Sequence, residues 1–240
     1  MKKPSEVVII GGGASILDGL SLGLKDQLKN RCVIACNYSF LHFPHTALVF
    51  TDGQFYSPSA KNIKEGKYPD IRKELQAEHM ILCGHKNDGL TKENVFPNTR
   101  LLNLSSTYHG SQGNEKGFYN GINFPGGLCG LVAMSIAACL LQEHGSIFLL
   151  GFDFTTSGPT HYYNDIKHRG QGKTKAFENA NPKELFKPYE QSKCLDIYNV
   201  SPKSNIPNFL KIDYPTFFKM LSPEVESQEE LRRWFKHVLY

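Results

Sequence analysis

Hydrophobic residues come in short unbroken runs along this chain: Val7-Val8-Ile9-Ile10, Cys32-Val33-Ile34-Ala35-Cys36, Ala47-Leu48-Val49-Phe50 and Ile147-Phe148-Leu149-Leu150. Apolar runs without polar alternation predict strands covered on both faces, as in a parallel sheet. Each run stops at turn-forming or polar residues: Gly11-Gly12-Gly13, Asn37, Thr51-Asp52-Gly53 and Gly151-Phe152-Asp153. Met80 to Cys83, Leu101 to Leu104 and Leu195 to Val200 are further strand candidates. The stretches between them predict helices: an amphipathic one ending near Leu28, a small-residue one from Gly126 to Leu141, and shorter ones over Leu185 to Lys193, Asp213 to Met220 and Ser227 to Leu239. Ser227 followed by Glu230 has the form of a capping box. The stripe of Trp234, Phe235 and Val238 predicts a docking face. Strands alternating with helices predict an α/β fold, a Rossmann-like and mostly parallel sheet flanked by helices, as one domain over residues 1–240. Residues 155–181 are polar and glycine-containing without apolar periodicity, which predicts a mobile, lid-like segment; the helices of about 213–240 close the chain.

Composition narrows this picture little. Forty per cent apolar residues suffice for a core, and a net charge of +4 with Lys and Arg thinly spread gives no argument for a nucleic-acid partner. The six cysteines (Cys32, Cys36, Cys83, Cys129, Cys139 and Cys194) lie mostly in or beside apolar runs, so buried free thiols are expected. Cys32 and Cys36 have no second pair at zinc-ligand spacing, so no metal site is expected. No run approaches the roughly 18 apolar residues of a membrane span, and the start of the chain lacks a signal-peptide core. The expectation is a soluble, cytoplasmic protein.

In a parallel sheet, residues just past the strand C-termini share one crevice, where ligands bind. Gly11, Gly12, Gly13, Asn37, Asp52, Gly151 and Asp153 all fall there. A strand, a glycine turn and a helix form an arrangement that can cradle phosphate, because glycines admit close approach and a helix N-terminus favours anions. The dinucleotide fingerprint is not met: its third glycine is Ile16, and Asn37 stands where an acidic residue would hold a ribose. Both points argue against a dehydrogenase. Ser15 can act as a helix N-cap or as a phosphate contact. The glycines around Gly127, opening the small-residue helix, present further free N–H groups. Gly172-Lys173-Thr174 resembles the end of a P-loop, but the required earlier glycine is Lys167. The long stretch 105–124, rich in glycine, predicts a binding loop.

Four segments occur in order: Ile9 to Ile16, Ile34 to Asn37, Leu149 to Phe154, and Ile197-Tyr198-Asn199-Val200-Ser201-Pro202-Lys203-Ser204. Together they resemble the bacterial sialyltransferases of glycosyltransferase family 42, and the related domain found in motility accessory factors and archaeal hydroxymethylpterin diphosphokinases. Gly-Phe-Asp followed by His161-Tyr162-Tyr163 is most similar to small phage-associated members of that group. The resemblance implies a GT-A-variant-like sheet binding a nucleotide across the strand ends. Gly11, Gly13, Ser15 and Asn37 would hold CMP, and Gly126 to Gly130 would line its phosphate. Gly12, Asp52, Gly151, Asp153, Asn199 and Ser201 would complete the nucleotide site. It further implies a histidine base in the segment before the last helix and strand, and tyrosines that stabilise the leaving phosphate. Here the family's glycine-turn asparagine is Gly12 and its first tyrosine is Thr155, while the second falls near His161 or Tyr162.

Three functions follow as expectations. A glycosyltransferase would use His161 or His168 as the base toward an acceptor hydroxyl, with Tyr162 or Tyr163 donating to the departing phosphate. It needs no metal; its partners are a nucleotide-sugar donor, most simply CMP-linked, and a glycan or small-molecule acceptor. A diphosphokinase would need Mg²⁺ held by Asp52 and Asp153. A non-catalytic nucleotide- or sugar-binding module would keep the fold alone. Assembly into a homo-oligomer is left open by the sequence.

Overall fold

A computed structural model describes residues 3–50, 71–75, 80–83, 99–101, 104–105, 124–125, 128–142, 144–155, 161–163, 181–190 and 195–239. Eight strands form one sheet: β1 (Glu6–Ile10), β2 (Val33–Cys36), β3 (Ala47–Phe50), β4 (Met80–Cys83), β5 (Thr99–Leu101), β8 (Gly145–Leu150), β9 (Leu195–Asn199) and β10 (Leu210–Lys211). Their order is β10-β9-β8-β1-β2-β3-β4-β5, and every neighbouring pair is parallel. The expected α/β, Rossmann-like sheet is what forms. β6 (Leu104–Ser105) and β7 (Phe124–Pro125) pair separately, so the run from Leu101 to Leu104 divides between two sheets, and the ends of the predicted long loop lie side by side.

The unbroken apolar runs follow from cover on both faces. Alternate residues of β1 and β8 point to opposite sides: Val7, Ile9, Ile147 and Leu149 to one core, Val8, Ile10, Phe148 and Leu150 to the other. The short helices α1 (Ile16–Ser21) and α2 (Leu24–Gln27) send Ile16 and Leu24 into the second core. They stand where one helix to Leu28 was expected, broken where Gly23 takes a left-handed φ of 84°. α3 (Arg72–Leu75) lies before β4. α4 (Cys129–Leu141) is the small-residue helix and fills the first core; ten of its residues are buried, so its sequence shows no polar face. α5 (Pro182–Glu190) starts three residues before the expected Leu185, where the Asn181 side chain accepts from the Lys183 amide at 3.1 Å.

The C-terminal helices take their expected places. α6 (Tyr214–Met220) packs Phe217 on the second core, capped by Asp213, which accepts from Thr216 N at 2.9 Å. α7 (Gln228–Leu239) follows Ser227, whose Oγ accepts from Glu230 N at 3.2 Å and donates to Glu230 Oε2 at 3.1 Å, in place of the reciprocal contact of a full capping box. Its Trp234 and Phe235 stripe docks on the first core, and Trp234 Nε1 donates to Leu140 O at 3.0 Å. Burying such rings contributes about 2–3 kcal/mol each. Among the described residues no helix is long and apolar enough to cross a membrane.

Candidate functional site

The chain runs from β1 outward through β2, β3, β4 and β5, then returns to place β8 on the other side of β1 and continues to β9 and β10. The sheet's topological switch point therefore lies between β1 and β8, and in such sheets the crevice opens beyond the strand C-termini at that point. The glycine turn leaves β1 and Gly151-Phe152-Asp153 leaves β8, so the two segments face each other there.

Their backbones are interlocked. Gly11 N donates to Leu150 O at 2.7 Å, and Gly13 N donates to Gly151 O at 2.9 Å. Ser15 then donates twice to one carboxylate, its amide to Asp153 Oδ2 at 2.8 Å and its hydroxyl to Asp153 Oδ1 at 2.5 Å. Asp153 is buried, with 8% of its surface exposed. Ser15 occupies the N-cap position of α1, but its side chain makes no capping bond, because the hydroxyl is committed to Asp153. A Cβ on Gly13 would come 2.5 Å from Asp153 Oδ2, so the glycine makes room for the carboxylate. Between these bonds, the amides of Gly12 and Ala14 have no partner among the described residues, and both residues are half-buried.

The His161-Tyr162-Tyr163 turn closes over the same glycines. Tyr162 N donates to Gly12 O at 2.8 Å. A Cβ on Gly12 would overlap His161 Cδ2 and lie 3.0 Å from the Tyr163 hydroxyl. His161 stacks on Tyr163 with ring centroids 5.0 Å apart, and Tyr38 meets Tyr163 edge-on at 6.0 Å. Tyr162 turns the other way, into the second core, edge-on to Phe43 at 5.8 Å. Burial holds the His161 imidazole below the usual histidine range, so it is neutral near pH 7. Burial also pushes both phenols up, that of Tyr163 well above its ordinary value, so they remain protonated donors.

Gly12→Ala tests this contact. The added methyl has no space without moving the His161 turn, so the variant is expected to lose about 1–3 kcal/mol in urea unfolding, the usual cost of overpacking. Its far-ultraviolet circular dichroism should stay that of the parent, because no strand or helix hydrogen bond is lost. An unchanged unfolding midpoint would mean that the turn does not rest on Gly12.

A second layer braces the Gly-Phe-Asp segment. Asn199, fully buried, donates from Nδ2 to Phe152 O at 3.2 Å and to Ser204 Oγ at 2.9 Å. Ser204 Oγ in turn donates to Phe152 O at 2.6 Å, and Asn205 N donates to Asp153 O at 2.8 Å. Ser201 is buried and accepts from Ser204 N at 3.0 Å through its carbonyl. Asn199 thus braces the wall of the crevice, and Ser201 closes the turn that carries Ser204. Asn37 opens a 3₁₀ turn (Asn37–Leu41) with a left-handed φ of 50°, and its Oδ1 accepts from Cys129 Sγ at 3.1 Å. Ser39 on that turn donates to Gly11 O at 2.9 Å, tying the ends of β1 and β2 together.

The structure therefore brings Gly11, Gly12, Gly13, Ser15, Gly151, Asp153, His161 and Tyr163 to one place, with Asn37 at its β2 side. Asp52, Gly127 and His168 lie outside the described residues, as does most of the predicted lid. No family model, curated protein or solved structure matches this chain. Sequence reading missed the bracing roles of Ser204 and Asn205, and the aromatic neighbours His42 and Tyr38. Ser204 and Asn205 had a signal: they follow closely on the end of a strand through a Pro-Lys turn. His42 had none. Its ring lies parallel to that of Tyr163, centroids 6.4 Å apart, at a contact between residues 121 positions apart in sequence.

Proposed function

We propose that this crevice binds a nucleotide-activated sugar, CMP-linked, and transfers the sugar to an acceptor hydroxyl, as a sialyltransferase-like glycosyltransferase. The observation that supports the reading is the seating of the His161-Tyr162-Tyr163 turn on the glycine turn at the switch point, with the His161 ring against Gly12. In the reaction, the acceptor oxygen forms a bond to the anomeric carbon while the sugar–phosphate bond breaks. The acceptor proton passes to His161, and the phosphate leaves with the bonding electrons. Tyr163, with its hydroxyl beside Gly12, is the better-placed donor to that phosphate. Asn37 supplies side-chain contacts to the nucleotide, and the start of α4 meets its phosphate, consistent with the favourable field at a helix N-terminus. Cys32, Cys36, Cys129 and Cys139 are free thiols, which fits a cytoplasmic setting.

Thermal melting with CMP, CDP, UDP, GDP, ADP and ATP, each with and without Mg²⁺, tests the proposal. CMP without metal is expected to stabilise the protein, by about 2.7 kcal/mol at a hundredfold excess over its dissociation constant. Asn37→Ala should lose most of that shift. Stabilisation only by ATP with Mg²⁺ would replace this reading with the diphosphokinase one, and no response to any nucleotide would end both.

A further inference from the structure

We infer that Cys129 is a positioning residue: its thiol holds the Asn37 side-chain amide with the NH₂ end toward the crevice, so that Asn37 meets a hydrogen-bond acceptor of the nucleotide. The inference rests on the nucleotide reading for the ligand, but not for the orientation of the amide. Cys129 opens α4, and its Sγ donates to Asn37 Oδ1 at 3.1 Å, across 92 positions of sequence. An amide nitrogen has no lone pair to offer a thiol proton, so the contact uses the oxygen and turns Nδ2 away. Cys129 is the only hydrogen-bond partner of the Asn37 side chain among the described residues, which leaves both Nδ2 protons unused. Asn37 is half-buried and Nδ2 is not sealed in the core. The residue stands just past β2, at the edge of the sheet where the crevice opens.

The backbones at both ends of this bond are fixed. A Cβ on Gly130 would come 2.7 Å from Phe152 Cε1, so the first turn of α4 is pressed against the Gly-Phe-Asp segment. Leu131 O in the same turn accepts from the Tyr189 hydroxyl of α5 at 2.8 Å. On the other side, Asn37 takes its left-handed φ of 50°, and Ser39 of its 3₁₀ turn donates to Gly11 O at 2.9 Å. What remains free is the last torsion of the Asn37 side chain, whose wells are broad and roughly two-fold. In one well the amide oxygen meets the thiol and Nδ2 is presented as a donor. In the other, oxygen would face an acceptor on the ligand, and two acceptors repel. The Cys129 thiol chooses the first.

Calorimetric titration of the full chain with CMP, in a double-mutant cycle, tests this. Cys129→Ala removes the thiol at a position where alanine suits the helix, and should bind CMP about five- to tenfold more weakly than the parent. Cys129→Ser restores a donor and should bind within about twofold of the parent. Asn37→Gly keeps the left-handed backbone and removes the amide; in that background Cys129→Ala should change the affinity by less than about twofold. A Cys129→Ala protein that binds CMP as the parent does would overturn the inference. So would a Cys129→Ser protein no better than Cys129→Ala, or an equal loss in the Asn37→Gly background, since either means that Cys129 acts by packing alone. Should Asn37→Gly fail to fold or bind too weakly to titrate, the alanine and serine variants decide. If the parent binds no CMP, the nucleotide reading fails, and the Asn37 side-chain amide resonances judge the orientation. A pair of signals that shifts in Cys129→Ala and returns in Cys129→Ser upholds it; a pair indifferent to both overturns it.

Discussion

Asp153→Ala is expected to lower the stability of the fold by about 3 kcal/mol, a loss of roughly 6–12 °C in melting temperature for a chain of this size. The carboxylate accepts two hydrogen bonds from Ser15, and such bonds to a charged acceptor are about twice as strong as neutral ones. Truncation leaves the amide and hydroxyl of Ser15 without their partner in a half-buried place, which costs more than the bonds themselves contribute. Ser15→Ala removes only the hydroxyl bond and should cost about 1 kcal/mol. The ordering of the two variants by chemical denaturation is the check. If Asp153→Ala melts with the parent, the carboxylate does not hold the turn, and the account of the site given by its geometry is wrong at its centre.

His161→Ala is expected to lower turnover by about 10²–10⁴-fold, the usual contribution of a positioned general base, while nucleotide affinity changes little. The pH dependence distinguishes a base from a merely structural side chain. Burial lowers the folded pKa of His161 below the ordinary value of about 6.5, and the base is active only when neutral. Initial rates should therefore rise as pH increases through a value below 6.5 and be level by pH 7; the rising limb should vanish in the variant. Stability carries the same sign. A histidine whose folded pKa is depressed binds its proton more readily in the unfolded chain, so the fold is most stable above about 6.5 and loses stability as pH falls from there through the folded pKa. His42, also lowered by burial, adds to that slope. His161→Ala should flatten part of the stability slope but all of the rate limb. A variant that keeps the parent's rate profile would remove His161 from the chemistry.

Fold class and strand positions were legible because burial on both faces writes itself into sequence as unbroken apolar runs, and Ile147 to Leu150 pairs with β1 as such a run must. The crevice was legible for a related reason: a parallel sheet collects whatever follows its strands at one edge, so Gly11 to Gly13, Asn37 and Gly151 to Asp153 had to be neighbours. The short elements were not legible. β10 has two exposed residues and no run to announce it, and the break at Gly23 is a local φ choice that an amphipathic pattern passes over. The use of each site residue was decided only by the tertiary structure. Ser15 and Asp153 stand 138 positions apart, and nothing local in either marks the serine's donors as spent. Gly12 and Gly13 read as room for a ligand, yet a histidine ring and a carboxylate fill much of that room. Sequence determined which residues meet at the strand ends, through hydrophobic burial; the three-dimensional packing decided which of their polar groups are already satisfied by one another and which remain for a ligand.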